Sequence, residues 1–364
     1  MRICAYRGYA TSSQAFVSGR VLANKAPGEP GDKQSLWRNL IDTYRRFETD
    51  EVPNAFVTVR FQREEQTAQT DAEGYYHFAL PRTERTEDDL FLTAEARSQT
   101  GGTEILAKHE IIAPPAAAEF GVISDLDDTI LETNVTSFLT AAKLTLLGNA
   151  KTRKPLEGVA ALYASLHCGT AGRPVNPIFY VSSSPWNLYD LLCEFLELNE
   201  IPKGPIFLND YGIDRTKFIK KRGHRDKLER TLTLMSAFPE LPFVLVGDSG
   251  QQDAGLYAEA AALHPQRIKA IYIRDVDPAT ATDRDDRVRE HIATAARHGV
   301  PMLLAPDSQA MARHAAEVGL IPARKEAAVQ AEVAKDQERP TPGAAVLEEA
   351  LGIDNGGSSA APLE

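Results

Sequence analysis

The sequence predicts an α/β protein in which a Rossmann-like parallel sheet follows a β-sandwich-like N-terminal part. Before about residue 113, short runs alternate apolar and polar residues between turn signals, which is typical of strands with one buried face. After residue 114, continuous apolar runs alternate with helical patterns, as in parallel strands that are covered on both faces. We therefore expect a mainly β accessory domain with one inserted helix over 1–113, an α/β domain over 114–322 and a tail over 323–364 that is disordered or partly helical.

The clearest predicted strand of the N-terminal part is 54–63. Its apolar residues occupy every second position from Ala55 to Phe61, so one face of the strand points into a core. We expect 75–80 to be its partner strand, because turn residues at 71–74 precede that run. No set of catalytic residue types occurs in this part, so we expect it to bind or to scaffold. The other elements expected here are strands at 90–96 and 104–112 and a helix at 34–47, where apolar residues have helical spacing.

The second part of the chain changes its pattern after a short linker rich in Pro and Ala. Its apolar runs are short, continuous and separated by stretches with helical periodicity. The expected strands are 120–124, 178–181, 243–246, 269–274 and 302–305, and the expected helices are 155–167, 187–198 and 227–238.

Composition limits the classes of function. The chain has 51 acidic and 40 basic residues and a net charge of −11, which argues against a general nucleic-acid binder. Its three cysteines are far apart and predict neither a disulfide framework nor a Cys-rich zinc site. Because no signal peptide or long apolar run is present, we expect a cytoplasmic protein whose membrane contact, if any, is peripheral.

The first predicted α/β strand ends in a cluster of carboxylates, at Asp125, Asp127 and Asp128. Like charges at this spacing raise each other's pKa unless a cation neutralises them, and oxygen ligands suit Mg²⁺. A helix cap or a solvated turn is the alternative for so short a motif. A calcium-binding EF-hand loop fits poorly, because Ile130 stands where its Gly belongs and Thr136 where its Glu belongs.

Two further strands also end in polar residues. Ser182 and Ser183 follow the second strand, where hydroxyl and backbone N–H groups can hold phosphoryl oxygens, although an ordinary helix cap would have the same sequence. Asp248 and Asp253 follow the third strand, and Lys227 begins the helix before it. Because ligands bind at the carboxyl ends of parallel strands, we expect these side chains to meet at one edge.

The order of these residues resembles the haloacid dehalogenase-like phosphatase superfamily. That superfamily has Asp-x-Asp-x-Thr, then Ser or Thr, then Lys, then Gly-Asp followed by Asp. This chain matches at Asp125, Asp127, Thr129, Ser182, Lys227, Gly247, Asp248 and Asp253. The runs 125–130, 180–187 and 238–251 look like the actin-patch-type phosphatidate phosphatases of fungi and their bacterial relatives.

The resemblance implies a fold, a cofactor and a set of roles. It implies a haloacid dehalogenase-like sheet and Mg²⁺ held by Asp125, the main-chain carbonyl of Asp127, Asp248 and Asp253. Asp125 would be the nucleophile that forms an aspartyl-phosphate, and Asp127 the general acid and base. Ser182 and Lys227 would stabilise charge on the transferring phosphoryl group, with Ser183 as a further phosphate contact.

The resemblance also implies a lipid phosphate substrate, phosphatidate, which hydrolysis converts to diacylglycerol and phosphate. Two local features favour contact with a membrane surface. The segment 214–230 carries eight basic and three acidic residues, including Lys220, Lys221 and Arg222. Another segment carries Phe138, Leu139, Leu144, Leu146 and Leu147, which could touch a membrane surface. A solvated basic loop and an ordinary core helix are the alternatives.

Three other functions remain open at this stage. The substrate is alternatively a soluble or protein phosphomonoester. A non-catalytic adaptor would keep the fold without the chemistry. A serine hydrolase is suggested by 247–250, but Gln251 and Gln252 replace the Gly-Pro that continues that protease signature. The sequence names no protein partner.

Overall fold

The computed structural model describes residues 1–23, 51–84, 89–100, 103–127, 129–130, 156–209, 225–280 and 282–338. It is a mixed α/β structure with one antiparallel-type sheet and one parallel sheet. The predicted helix 34–47, Asp128 and the five apolar residues from Phe138 to Leu147 lie outside these ranges, as do Lys220, Lys221 and Arg222.

The first sheet has eight strands within residues 1–112. They are β1 (Arg2–Ala5), β2 (Gly8–Ala10), β3 (Gln14–Leu22), β4 (Phe56–Phe61), β5 (Glu64–Gln69), β6 (Tyr75–Pro81), β7 (Phe91–Thr100) and β8 (Thr103–Ile112). The order is β1-β3-β2-β8-β7-β4-β5. Strands β1 and β2 pair with different parts of one edge of β3, and β6 pairs with its other edge. All pairs are antiparallel except β2 with β8.

The alternation in β4 is confirmed, because Val57, Val59 and Phe61 are buried in a core that β3, β6, β7 and β8 also line. The prediction that β6 is the partner strand of β4 is wrong. Strand β6 pairs with β3, from Gln14 opposite Pro81 to Arg20 opposite Tyr75, while β4 pairs with β5 and β7. Strand β5 is mostly polar and lies at the sheet edge, so its sequence gives no apolar alternation.

The second sheet has six parallel strands. They are β9 (Gly121–Asp125), β10 (Ile178–Pro185), β11 (Ile206–Asn209), β12 (Phe243–Asp248), β13 (Ile268–Arg274) and β14 (Met302–Ala305). The order is β11-β10-β9-β12-β13-β14, so the chain leaves β9 in one direction and returns to its other side at β12. Such a reversal opens a crevice at the carboxyl ends of β9 and β12.

Seven helices of the described residues cover this sheet. They are α1 (Val159–Cys168), α2 (Tyr189–Leu198), α3 (Arg225–Ala237), α4 (Asp253–Leu263), α5 (Asp283–Arg297), α6 (Ser308–Glu317) and α7 (Ala323–Glu338). One apolar cluster joins alternate strand residues to α1, α2, α6 and α7, and a second joins the other strand face to α3, α4 and α5. Among the described residues, none of the helices has the length and apolar character needed to span a bilayer.

The start of the C-terminal segment is helical, which is one of the two alternatives expected for the tail. Residues 323–338 form α7, in which Val329 and Val333 are buried four residues apart against α1 and α6. The Asp336 carboxylate accepts a hydrogen bond from the Gly158 backbone N–H at 3.0 Å. Large apolar residues are few in this segment, but two valines at this spacing suffice to pack one helix face.

Candidate active site at the carboxyl edge of the parallel sheet

Two neighbouring strands bring the first carboxylates together. Strand β9 ends at Asp125 and β12 at Asp248, and the two strands pair in register up to Ser124 and Val246. The side chains of Asp125 and Asp248 are completely buried. Carboxylates are rarely fully buried without partners, so this edge is built around charge.

Lys227 and Asp253 complete the cluster from two helices. The Lys227 ammonium lies 3.0 Å from Asp125 Oδ1 and 2.6 Å from Asp253 Oδ1, and it is 6% exposed. Asp253 begins α4, and its Oδ2 accepts a hydrogen bond from the Asp248 backbone N–H at 3.3 Å. A Cβ atom on Gly247 would lie 2.5 Å from Asp253 Oδ2, so a glycine is needed for this close approach.

The charges of Asp125 and Lys227 depend on each other. Burial raises the pKa of Asp125 well above its ordinary value, and the nearby Asp253, Asp127 and Asp248 raise it further, while Lys227 opposes them. Burial alone would lower the pKa of Lys227, but Asp125 and Asp253 hold that pKa well above its ordinary value. Lys227 therefore stays cationic, and one cation does not balance the carboxylates around it.

The same group of residues fits a divalent metal ion. One carboxylate oxygen from each of Asp125, Asp248 and Asp253 lies within 4.8 Å of the others. Both oxygens of Asp125 are buried and accept no hydrogen bond, although Oδ1 is close to Lys227. Buried acceptors are normally satisfied, so this carboxylate is arranged for a ligand. An all-oxygen, negatively charged donor set suits Mg²⁺.

Asp127 is held by serines of the neighbouring strand. Its Oδ2 accepts hydrogen bonds from Ser182 Oγ at 2.8 Å and from Ser184 Oγ at 3.3 Å. The backbone N–H of Ser184 also donates to Ser182 Oγ at 2.9 Å. Ser183 lies between them and is half-buried, so alternation along β10 directs its side chain to the opposite face.

The structure therefore brings together Asp125, Asp127, Ser182, Lys227, Asp248 and Asp253. The contact of Ser184 with Asp127 was not predicted from the sequence, because the strand was expected to end at Val181. A buried arginine, Arg274, lies on the neighbouring strand. It ends β13 in register with Asp248, is 6% exposed and donates to Ser308 Oγ at 2.5 Å. Its pKa is lowered by burial.

The part of the chain that contains this cluster is similar to known proteins. Residues 120–275 match the family described as phosphatidate phosphatase APP1, catalytic domain. The chain is 35% identical over 156 residues to the phosphatidate phosphatase APP1 of Saccharomyces cerevisiae, which covers 42% of this chain and 25% of the yeast protein. It is 29% identical over 251 residues to the uncharacterized protein C29B5.04c of Schizosaccharomyces pombe, covering 66% of this chain and 39% of that protein.

These matches thus span about a quarter to two fifths of the length of the curated relatives. Among solved structures, a carbohydrate acetylesterase from Xanthomonas citri aligns with 80% of this chain and 72% of its own, at 14% identity and a TM-score of 0.27. A score of this size does not establish a shared fold.

Proposed function

We propose that residues 120–275 form a catalytic domain of the phosphatidate phosphatase APP1 type and that this chain hydrolyses a lipid phosphomonoester, phosphatidate, to diacylglycerol and phosphate. The observation that carries the proposal is the buried cluster of Asp125, Lys227, Asp248 and Asp253 beside the Asp127–Ser182 pair. We assign residues 114–322 to a haloacid dehalogenase-like phosphatase domain and residues 1–113 to an accessory domain.

The proposed cofactor is Mg²⁺, held by Asp125, Asp248 and Asp253 together with the main-chain carbonyl of Asp127. Without such an ion, these closely spaced carboxylates would carry uncompensated charge in a buried site. When bound, the ion supplies positive charge that stabilises the oxygens of the transferring phosphoryl group.

In the first half-reaction, a carboxylate oxygen of Asp125 attacks phosphorus and the bond to the lipid oxygen breaks. Asp127 donates its proton to that oxygen, so neutral diacylglycerol leaves. Lys227, the Ser182 hydroxyl and the backbone N–H of Ser183 contact the phosphoryl oxygens and stabilise the charge that they carry in the transition state. The Ser182 and Ser184 hydroxyls, which both donate to Asp127 Oδ2, orient that carboxyl group.

In the second half-reaction, water attacks the phosphorus of the aspartyl-phosphate. Asp127, now a carboxylate, accepts the proton of that water, and phosphate leaves as Asp125 is regenerated. One carboxylate thus serves both steps, and the Ser182 and Ser184 hydroxyls hold it in position.

A substrate screen tests the proposal. The purified protein with Mg²⁺ is offered phosphatidate, lysophosphatidate, sugar phosphates and phosphopeptides, and phosphate release is measured with and without EDTA. The proposal expects metal-dependent release, highest with phosphatidate. Preference for a soluble or peptide substrate would transfer the activity to that class, and release from none of them would favour an adaptor.

We further propose that the protein is cytoplasmic and meets its lipid at the membrane surface through its basic segment 214–230. Binding to anionic liposomes should weaken when Lys220, Lys221 and Arg222 are changed to Glu. Equal binding by this triple variant and the wild type would contradict the membrane contact without affecting the proposed chemistry.

A further inference from the structure

The loop after β10 connects the proposed active site to the first sheet. Ser182 and Ser184 hold Asp127, and Trp186 follows two residues later. The Trp186 ring stacks on the ring of Tyr6 from the first sheet, with centroids 4.3 Å apart and planes at 23°. A residue of the N-terminal part therefore lies against the segment that carries the serines.

Tyr6 is itself fixed by a buried hydrogen-bond chain. Its carbonyl accepts from His109 Nδ1 at 2.8 Å, so His109 Nε2 is the acceptor for the Tyr76 hydroxyl at 2.9 Å. The backbone N–H of Tyr6 donates to the Ser18 carbonyl at 3.1 Å. These bonds hold the Tyr6 backbone in one position against the first sheet.

Arg20 reaches the same loop from β3. Its guanidinium donates to the Glu73 carbonyl at 2.7 Å, to Glu51 Oε1 at 2.8 Å and, at 3.5 Å, to Asn187 Oδ1. The group also lies over the Tyr75 ring, 4.5 Å from its centroid. The loop thus has a ring contact and a polar contact to the first sheet.

The two sheets share a continuous core at this point. One buried cluster contains residues of both parts of the chain. From the N-terminal part it includes Cys4, Tyr6, Leu22 and Tyr75, and from the segment after β10 it includes Leu188 and Tyr189. The main core of the first sheet, which contains Val59, forms a separate cluster. The N-terminal part is therefore packed onto the loop as one body, unlike a module that is only tethered.

We infer that Tyr6 and Arg20 are positioning residues for the proposed phosphatase site. By holding the turn at Trp186 and Asn187, they keep the Ser182 and Ser184 hydroxyls on Asp127, the group that protonates the leaving oxygen. This inference rests on the proposed function. It gives the N-terminal part a role in the chemistry that its lack of catalytic residue types does not suggest.

The test uses two substrates that differ in their need for an acid. An alkyl phosphate leaving group needs protonation, whereas nitrophenolate from p-nitrophenyl phosphate leaves readily without it. For each substrate, kcat/KM depends only on the steps up to and including phosphoryl transfer to the enzyme. In Tyr6→Ala, kcat/KM for phosphatidate should fall at least about ten-fold more than kcat/KM for p-nitrophenyl phosphate. Arg20→Met should shift the ratio of the two kcat/KM values in the same direction, by about three-fold, because only one of the hydrogen bonds of Arg20, the long one to Asn187, reaches the loop.

Two control variants separate positioning from general destabilisation. Val59→Ala removes packing in the separate core of the first sheet, and it should lower the melting temperature while leaving the ratio of the two kcat/KM values unchanged. Tyr6→Phe retains the stacked ring and should restore the wild-type ratio. Equal losses on both substrates in Tyr6→Ala, or a ratio shift of the same size in Val59→Ala, would overturn the inference.

A spectroscopic measurement checks the contact independently of activity. Trp186 is the one tryptophan left in a Trp37→Phe background, since the chain has two. Tyr6→Ala in that background should increase acrylamide quenching of Trp186 about two-fold, and unchanged quenching would contradict the contact. A wild type that hydrolyses neither substrate would refute the proposed function, whereas an active wild type with an unchanged ratio in Tyr6→Ala would refute positioning alone.

Discussion

The edge of the parallel sheet and the core of the first sheet both bury polar groups, but they satisfy them differently. In the first sheet, both ring nitrogens of His109 have partners, in the Tyr6 carbonyl and the Tyr76 hydroxyl. At the parallel edge, both buried oxygens of Asp125 accept no hydrogen bond while several acids crowd around them. A satisfied polar group stabilises one fold, whereas an unsatisfied one marks a place for a ligand.

The largest expected effect is on turnover, from Asp125→Asn. This change keeps the shape of the side chain but removes the nucleophilic carboxylate, so phosphate release should fall by at least about 10³-fold. The free energy of unfolding should stay the same or rise, because the variant removes a buried carboxylate. Burial and the neighbouring acids disfavour the charged form of that group and raise its pKa. Phosphate-release assays and urea unfolding measure the two effects. Appreciable turnover by this variant would remove Asp125 from the chemistry.

The next effect is on folding, from Lys227→Met. Its ammonium faces Asp125 at 3.0 Å and Asp253 at 2.6 Å, so the variant leaves two buried carboxylates without their cation. Breaking such a buried pair costs about 3–5 kcal/mol of unfolding free energy. The double variant Lys227→Met with Asp253→Asn should recover part of that loss. Urea unfolding of the wild type, the two single variants and the double variant would disprove the coupling if the effects of the two changes simply added.

Acid should lower the free energy of unfolding through His109, the buried histidine of the first sheet. Burial lowers the pKa of His109 from 6.5 to about 4, so between these values the unfolded chain binds a proton that the folded chain does not. The free energy of unfolding should therefore fall as pH drops from 6.5 to 4, with about 3 kcal/mol attributable to His109. In His109→Gln this share of the pH dependence should disappear. Identical pH profiles of unfolding for the two proteins would contradict the assignment.

The smallest effect compares two adjacent serines. Ser184→Ala removes a hydroxyl that donates to Asp127 Oδ2 at 3.3 Å, so kcat should fall about three- to ten-fold, which is about 1 kcal/mol. Ser183→Ala is the matched variant. Since its side chain lies on the opposite face of β10, the loss should be smaller. Steady-state kinetics on phosphatidate gives both values, and a larger loss in Ser183→Ala would contradict the strand alternation.

The sequence was most informative where local pattern and chemistry coincide. Strands β9, β12 and β14 are short continuous apolar runs, and their bounds agree closely with the expected ones. Because parallel strands place their carboxyl ends at one edge, the meeting of Asp125 with Asp248 could also be anticipated. Lys227, twenty-one residues before Asp248 on a helix, followed only from the family resemblance.

Other features depend on pairing that no local pattern encodes. The partner of β6 is β3, about sixty residues earlier, and the intervening turn signal pointed to β4 instead. The choice between Ser183 and Ser184 needed the true end of β10 at Pro185, beyond the apolar run that predicted the strand. The contact of Tyr6 with Trp186 joins residues 180 positions apart, and neither residue has a local signal for it.

The central claim is that Asp125 carries the phosphoryl group between two half-reactions. Phosphatidate labelled in its phosphate is mixed with Mg²⁺ and the protein, quenched in acid at short times and digested, and the labelled peptide is identified by mass spectrometry. We predict transient label on Asp125. With labelled p-nitrophenyl phosphate, whose leaving group needs no acid, Asp127→Asn should carry more label, because only hydrolysis of the intermediate is then slowed. Label on any other residue during turnover, or turnover by Asp125→Asn at the wild-type rate, would contradict the account.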